Sequence, residues 1–328
     1  MRLKKRPVLL FLPLILSLLL LSLSIFSNTV GLFVSEYISP VIRRPLAEVS
    51  SRFGFSIFEI CVLLSPIIIY LIVLYIIKGN GEHGKRFVAS VAIISIVCSV
   101  YIITILIPTM SRDRGDAPNV TEEEICSAAE ILISEISSLD KSQNSPRGIY
   151  EIFDDARKIC SEKSHGWLPV AKPLISSGLF SRLGILGLYS FPTSEININV
   201  EIPSYMIPFA VLHEYAHYLG IMDEGEANFH AFLVAYNANE TYIRYSASLC
   251  ALEYILLDLE KYDVKKYANV YNMLDCRVRS DLKEYRIFLA ENSGSPAYTA
   301  SEGLHGALSG SQSYSELSRY VTRYLLSA

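Results

Sequence analysis

His213-Glu214-Tyr215-Ala216-His217 sets two imidazoles four residues apart, with a carboxylate beside the first. On an α-helix, positions i and i+4 share a face. Both rings can then reach one zinc ion, to which imidazole nitrogen bonds at about 2.0–2.1 Å. Glu214 is rotated by one position and can take a proton from a water held at an open coordination position. The flanking residues Met206, Ile207, Phe209, Val211 and Leu212 are apolar, as on a buried helix. Burying two histidines and a glutamate without a partner is costly, which sets the metal reading above a pair of hydrogen-bonded core histidines. A motif this short also arises by chance, so its surroundings carry the argument.

A third metal ligand is needed, and three residues are candidates. Glu224 opens Glu224-Gly225-Glu226-Ala227-Asn228. That run resembles the ExxA(N/D) pattern of gluzincins, which implies zinc binding by Glu224 and support of a ligand imidazole by Asn228. Glu226 ranks second. Asp223 ranks third: His213 to Asp223 reads HExxHxxGxxD, a metzincin-like spacing, but the Met-turn of that class is missing. Met273, the sole methionine after Met222, falls in a helical pattern. Tyr245, Tyr242 and Arg244 sit early on the next helix, where one could steady a transition-state oxyanion. His230, four residues after Glu226, reads as a support for the ligands or a packed side chain. His83, His165 and His305 read as structural or surface residues.

The elements that must position these residues are also legible. A helix from about Ser204 to Leu219 is stopped by Gly220, and Asp223-Glu224-Gly225 opens the next. Gly187 to Ser190 and Ile196 to Val200 read as short strands around Phe191-Pro192-Thr193. Ile196, Ile198 and Val200 alternate with Asn197 and Asn199, the period of a half-exposed strand. This strand is expected to form the edge of the cleft, where an extended peptide can pair with it. Thr121 to Glu124 forms a capping box ahead of Ile125–Leu139. Ser145-Pro146 is expected to open a helix to about Lys163. Helical patterns continue through Thr241–Tyr262, Val264–Leu289 and Tyr314–Leu326. Residues 111–328 are therefore expected to form a mostly helical α+β domain with a short sheet, joined to the rest by the polar stretch Ser111–Asn119.

Residues 1–110 read as a membrane anchor. The chain is 51% hydrophobic, and the excess is concentrated there. Uncharged runs at about 8–26, 58–77 and 87–107 each approach the ~20 residues that cross a bilayer core, so three transmembrane helices are expected. A cleaved signal peptide is the alternative for the first run, but no small-residue cleavage site follows Phe26. Ile202–Met222 could be a further span, but its two prolines and central ionisable groups argue against it. The basic N-terminal tail and the link carrying Lys78, Lys85 and Arg86 are expected in the cytoplasm, with residues after Pro108 outside. Arg43, Arg44 and Arg52 run against that assignment. The lipid bilayer is one expected partner and a peptide or protein substrate the other. A net charge of −4 and a pI near 5.9 give no nucleic-acid footprint. Cys126, Cys160, Cys250 and Cys276 could pair as disulfides in an oxidising compartment, and no CxxC spacing suggests a zinc knuckle.

Phe191-Pro192-Thr193-Ser194-Glu195-Ile196-Asn197-Ile198-Asn199, then Pro208-Phe209 ahead of His213-Glu214-Tyr215-Ala216-His217, then Glu224-Gly225-Glu226-Ala227-Asn228-Phe229 and Arg244-Tyr245-Ser246 occur in a characteristic order. In these segments the chain resembles the bacterial family called domain of unknown function 3810. These are multi-pass membrane proteins with a zincin-like region. Phe55-Ser56, ahead of the second apolar run, fits the same family. The family's lysine-containing segment has no counterpart before Ser313-Tyr314. The resemblance implies a zincin fold on a membrane anchor and implies no substrate. The expected function is zinc-dependent peptide-bond hydrolysis with Zn2+ on His213, His217 and Glu224 and with Glu214 as general base. The alternative is a non-catalytic, zinc-stabilised binding or sensory module at the membrane surface, with a closed four-ligand site.

Overall fold

Residues 10–78, 83–111, 117–139, 148–293 and 313–327 are described by the computed structural model. The expectations that rest on Val8, Leu9, Ser145-Pro146 and His305 lie outside these residues. The chain divides into two units, one made of residues 1–114 and 190–195 and the other of residues 115–189 and 196–328.

The first unit is helical. It runs through α1 (Leu12–Phe26), α2 (Asn28–Phe33), a π-helical turn over Val34–Ile38, α3 (Ser39–Ser50), α4 (Ile57–Ile77) and α5 (His83–Tyr101). A second π segment, Ile102–Leu106, leads into α6 (Ile107–Ser111), so that His83–Ser111 forms one continuous helix. Among the described residues two helices, not three, are long and apolar enough to cross a membrane: Ile57–Ile77 and His83–Ser111. α1 ends at Phe26, as the apolar run does, with Ser27 extended (φ −145°, ψ 105°), but its α-helical part is 15 residues, or about 22 Å against a hydrocarbon core of about 30 Å.

Small residues let these helices approach closely. A Cβ on Gly31 in α2 would lie 1.9 Å from Ser111 Oγ, so α2 and α6 meet at backbone distance there. The start of α4 is held by side chains. Ser56 Oγ accepts from Glu59 N at 2.9 Å, and the buried Glu195 carboxylate accepts from Ile57 N at 3.0 Å and Phe58 N at 2.8 Å. These are among the N–H groups that a helix cannot satisfy within itself. Thr193 Oγ1 also donates to Glu195, and the Phe191 ring stands edge-on to Tyr101 at 5.2 Å.

The second unit carries α7 (Glu122–Ser138), α8 (Ile149–Ser164), β1 (Ala171–Pro173), α9 (Ser177–Arg182), β2 (Gly187–Ser190) and β3 (Glu195–Ile198). The short strand ends Ser190 and Glu195 are counted with the first unit. A 3₁₀ turn over Ser204–Met206 then leads into α10 (Ile207–Tyr218), followed by α11 (Glu224–Tyr236), α12 (Thr241–Tyr262), α13 (Val264–Met273), α14 (Cys276–Ser293) and α15 (Ser313–Ser327). The protein is thus mainly helical with one small sheet. The expected capping box is formed: Glu124 N donates to Thr121 Oγ1, and Thr121 N donates back to Glu124. The helix expected over Val264–Leu289 is broken at Leu274, because Asp275 accepts from Val278 N and starts a new one.

The sheet order is β1-β3-β2, with β1 parallel to β3 in the register Ala171 to Ile196 and Pro173 to Ile198. This corrects two expectations. β3 is the central strand and not the cleft edge, which leaves β2 and β1 as edges. Asn197 and Asn199 are fully buried, not exposed. Asn197 Nδ2 donates to Leu188 O on β2 at 3.4 Å, and its Oδ1 has no partner among the described residues, whereas the Asn199 amide is satisfied on both sides. Asn199 Nδ2 donates to Ser181 Oγ at 2.9 Å and Ile185 O at 3.0 Å, and Asn199 Oδ1 accepts from Glu201 N at 3.0 Å. All six cysteines are free thiols.

Candidate metal centre

α10 is the pivot of the second unit, packed by α8, α11 and α12. Its inward side chains Val211, Leu212, Tyr215 and Ala216 are fully buried. Three contacts fix it lengthwise. Ser246 Oγ on α12 accepts from Phe209 N, a first-turn N–H with no helical partner. Tyr215 OH donates to Pro169 O at 2.8 Å. Gly220, at φ 95°, turns the chain out of the helix, a conformation glycine adopts without a steric penalty. That turn lets Ile221 N bond back to Ala216 O and brings Ile221 O to 2.7 Å from His217 Nδ1.

The Ile221 carbonyl can only accept, so His217 Nδ1 carries a proton and Nε2 is the nitrogen left to face Glu224, where a cation can replace its proton. Such an outer hydrogen bond orients metal-binding histidines generally. Across the turn, Asp223 caps α11 by accepting from Glu226 N at 3.0 Å. Glu224, the first residue of α11, then faces the α10 histidines. Its carboxylate oxygens lie 3.2 Å from His213 Nε2 and 3.6 Å from His217 Nε2. The two imidazoles stand edge to face with centroids 4.6 Å apart. One ligand atom from each of His213, His217 and Glu224 falls within 4.8 Å of the others, the only such group among the described residues that could hold a metal ion.

The donor set fits zinc. Four ligands at about 2.0–2.1 Å around a tetrahedral ion stand roughly 3.3 Å from one another, close to the separations of Glu224 from both imidazoles. Electrostatics agree. Burial opposes charge on Glu224, but His217 and His213 outweigh it and hold its carboxyl well below the usual range. Burial also pulls the His217 imidazole down, and the Glu224 carboxylate more than reverses this, lifting it to about 9. These are groups that a cation would bind in place of a proton.

Glu214 belongs to a different surface. It is 5% exposed and turned toward β2. Burial pushes its carboxyl up, against the opposing pull of His213 and His217 and of a hydrogen bond from the Tyr189 backbone N–H. It is therefore a carboxyl raised above its ordinary value, beside the histidines but outside their group.

The other sequence candidates are placed elsewhere. Glu226 and His230 lie on the opposite side of α11 from Glu224, two residues being more than half a turn. There they line a shallow apolar cleft with Ile221, Phe229, Leu233 and Tyr320. Asn228 is buried on α11, but His213 Nδ1 has no hydrogen-bond partner among the described residues. Arg244 is paired with Glu135, Tyr245 OH with Asp281 and Tyr242 OH with Asp155. These contacts direct all three to α7, α14 and α8. Met273 lies exposed in the last turn of α13. Sequence reasoning missed Gly187, the Tyr189 N–H and the Ile221 carbonyl. For Gly187 a signal existed: a glycine inside a strand marks a close approach.

The chain belongs to the family described as protein of unknown function (DUF3810), whose model matches residues 34–317. No curated protein and no solved structure matches it.

Proposed function

We propose that this member of the DUF3810 family is a membrane-anchored, zinc-dependent metallopeptidase of the zincin type. The observation that carries the reading is the convergence of His213 Nε2, His217 Nε2 and Glu224 on one point, with the buried Glu214 beside it and outside the ligand group. His213, His217 and Glu224 would hold the ion. When bound, Zn2+ supplies the positive charge that polarises a peptide carbonyl and acidifies water. The chain's own residues do the rest. Ile221 O keeps the proton on His217 Nδ1 and so frees Nε2. Glu214, raised by burial, accepts a proton from the attacking water and returns it to the leaving amine. A purely structural site has no use for such a base. β2 is an edge strand beside Glu214 and offers a place for an extended peptide.

The test compares four variants of the full chain in detergent. His213→Ala, His217→Ala and Glu224→Ala are expected to lose zinc. Glu214→Gln is expected to keep one zinc per chain while turnover of a peptide library falls by about 10²-fold or more. Stoichiometric zinc without hydrolysis in the parent protein would favour the binding module, and no zinc at all would end the proposal.

A further inference from the structure

Glu214 lies across a bare stretch of backbone. A Cβ built on Gly187 would sit 2.7 Å from Glu214 Oε1, 2.8 Å from Cγ and 3.1 Å from Cδ. Separations below 3.0 Å are not tolerated, so any side chain at 187 would have to displace the glutamate. The backbone at Gly187 is not in the left-handed region, the positive-φ glycines being Gly184 and Gly220. Conformation therefore does not demand glycine here; the neighbour does. Two residues on, the Tyr189 N–H donates to the same carboxylate. The even residues turn their carbonyls toward β3, Leu186 O accepting from Asn199 N and Leu188 O from Asn197 Nδ2, so the intervening odd residues turn their backbone groups outward. β2 thus presents a gap at 187 and a donor at 189 to one side chain.

We propose that Gly187 is a positioning residue for Glu214, its missing side chain forming the seat in which the carboxylate is held against the Tyr189 N–H. The inference rests on the reading of Glu214 as the general base. The seat itself can be tested apart from that reading. Replacing a strand glycine by alanine ordinarily stabilises a protein slightly, because it restricts the unfolded chain. Gly187→Ala in the full-length parent is expected to lower the melting midpoint, by about 2 °C or more. In a Glu214→Ala background, where Cγ, Cδ and Oε1 are gone, the same alanine is expected to leave the midpoint unchanged or raise it. Equal effects in both backgrounds would overturn the proposal. If Gly187→Ala alone fails to fold, recovery of folding in the double variant supports the seat, and failure of both overturns it.

The positioning role has its own measurement. Gly187→Ala is expected to retain one zinc per chain, because the three heavy atoms nearest its Cβ all belong to Glu214 and none to His213, His217 or Glu224, while kcat drops at least tenfold with KM little changed. Unchanged kcat in a variant whose melting cycle shows coupling would overturn the positioning role. Coupling in the melting cycle together with an inactive parent protein would leave the seat standing and remove only the peptidase reading.

Discussion

Glu253 and Glu214 are both buried carboxyls on largely apolar helices, yet only Glu214 lies beside the histidines. Glu253, on α12, accepts from Tyr205 OH at 3.2 Å, just ahead of α10. Burial lifts its carboxyl from the ordinary 4.5 to about 7, with Tyr205 and Arg286 working in the opposite direction. The folded protein therefore holds this proton more tightly than the unfolded chain. Between pH 4.5 and 7 the native state binds more protons, so stability falls as pH rises through that window. The full loss from this group, above pH 7, is about 3 kcal/mol, from roughly 1.4 kcal/mol per unit. Glu253→Gln keeps an acceptor for Tyr205 without the charge. Denaturant melts are expected to show the variant matching the parent near pH 5 and exceeding it by about 2–3 kcal/mol at pH 8. A variant less stable at both values would show that the hydrogen bond, not the ionisation, dominates at this position.

The junction between α10 and α11 gives the most direct prediction about elements, because adjacent residues there have separate tasks. Asp223 caps α11 and Glu224 faces the histidines. Asp223→Ala is expected to cost about 1 kcal/mol, the usual worth of a cap, and to leave zinc stoichiometry intact. Glu224→Ala is expected to do the reverse. Calorimetry with metal analysis on the pair reads both, and loss of zinc from Asp223→Ala alone would move the ligand by one residue. The same junction shows what a sequence can reveal. Gly220 and the i, i+4 histidines are local signals, and the helix and its paired imidazoles follow from them. The Thr121 cap is local in the same way. β1 is three residues with a proline at its end and carries no alternation. β3 alternates, but both its faces are covered, so the polar positions that suggested solvent are instead buried amides. The partners of Arg244, Tyr242 and Tyr245 lie 109, 87 and 36 residues away, and no local pattern reports them. Gly187 was visible as an odd residue in a strand, but its reason, Glu214, lies on another element.

At the scale of the whole molecule, two helices, Ile57–Ile77 and His83–Ser111, are long and apolar enough to cross a membrane, and if both cross, an even number returns the chain to the side from which it entered. Glu195 bonds the first turn of α4, which requires the turn at residues 190–195 to share a side with the start of the first span. With two spans, a cytoplasmic link carrying Lys78, Lys85 and Arg86 would put both the segment before Ile57 and the segment after Ser111 outside, which sets the basic link against the basic N-terminal tail expected in the cytoplasm. In a chain cleared of its six cysteines, a cysteine at Ser327 is expected to react with an impermeant reagent in intact cells, and one at Gly81 only after permeabilisation. The opposite pattern would invert the topology.

The capping of α4 by Glu195 also sets an order in time. Ile57 and Glu195 are 138 residues apart, yet both belong to the unit that contains the spans. A ribosome adding about 5–20 residues per second needs on the order of ten seconds to cover that interval. Throughout it, the first N–H groups of α4 have emerged while their carboxylate has not been made. The first unit therefore cannot be finished before much of the following unit has been synthesised. A nascent chain halted before residue 190 carries both long apolar helices but lacks the piece that closes the start of the first, so the last step in building that unit is delivered by the chain that follows it.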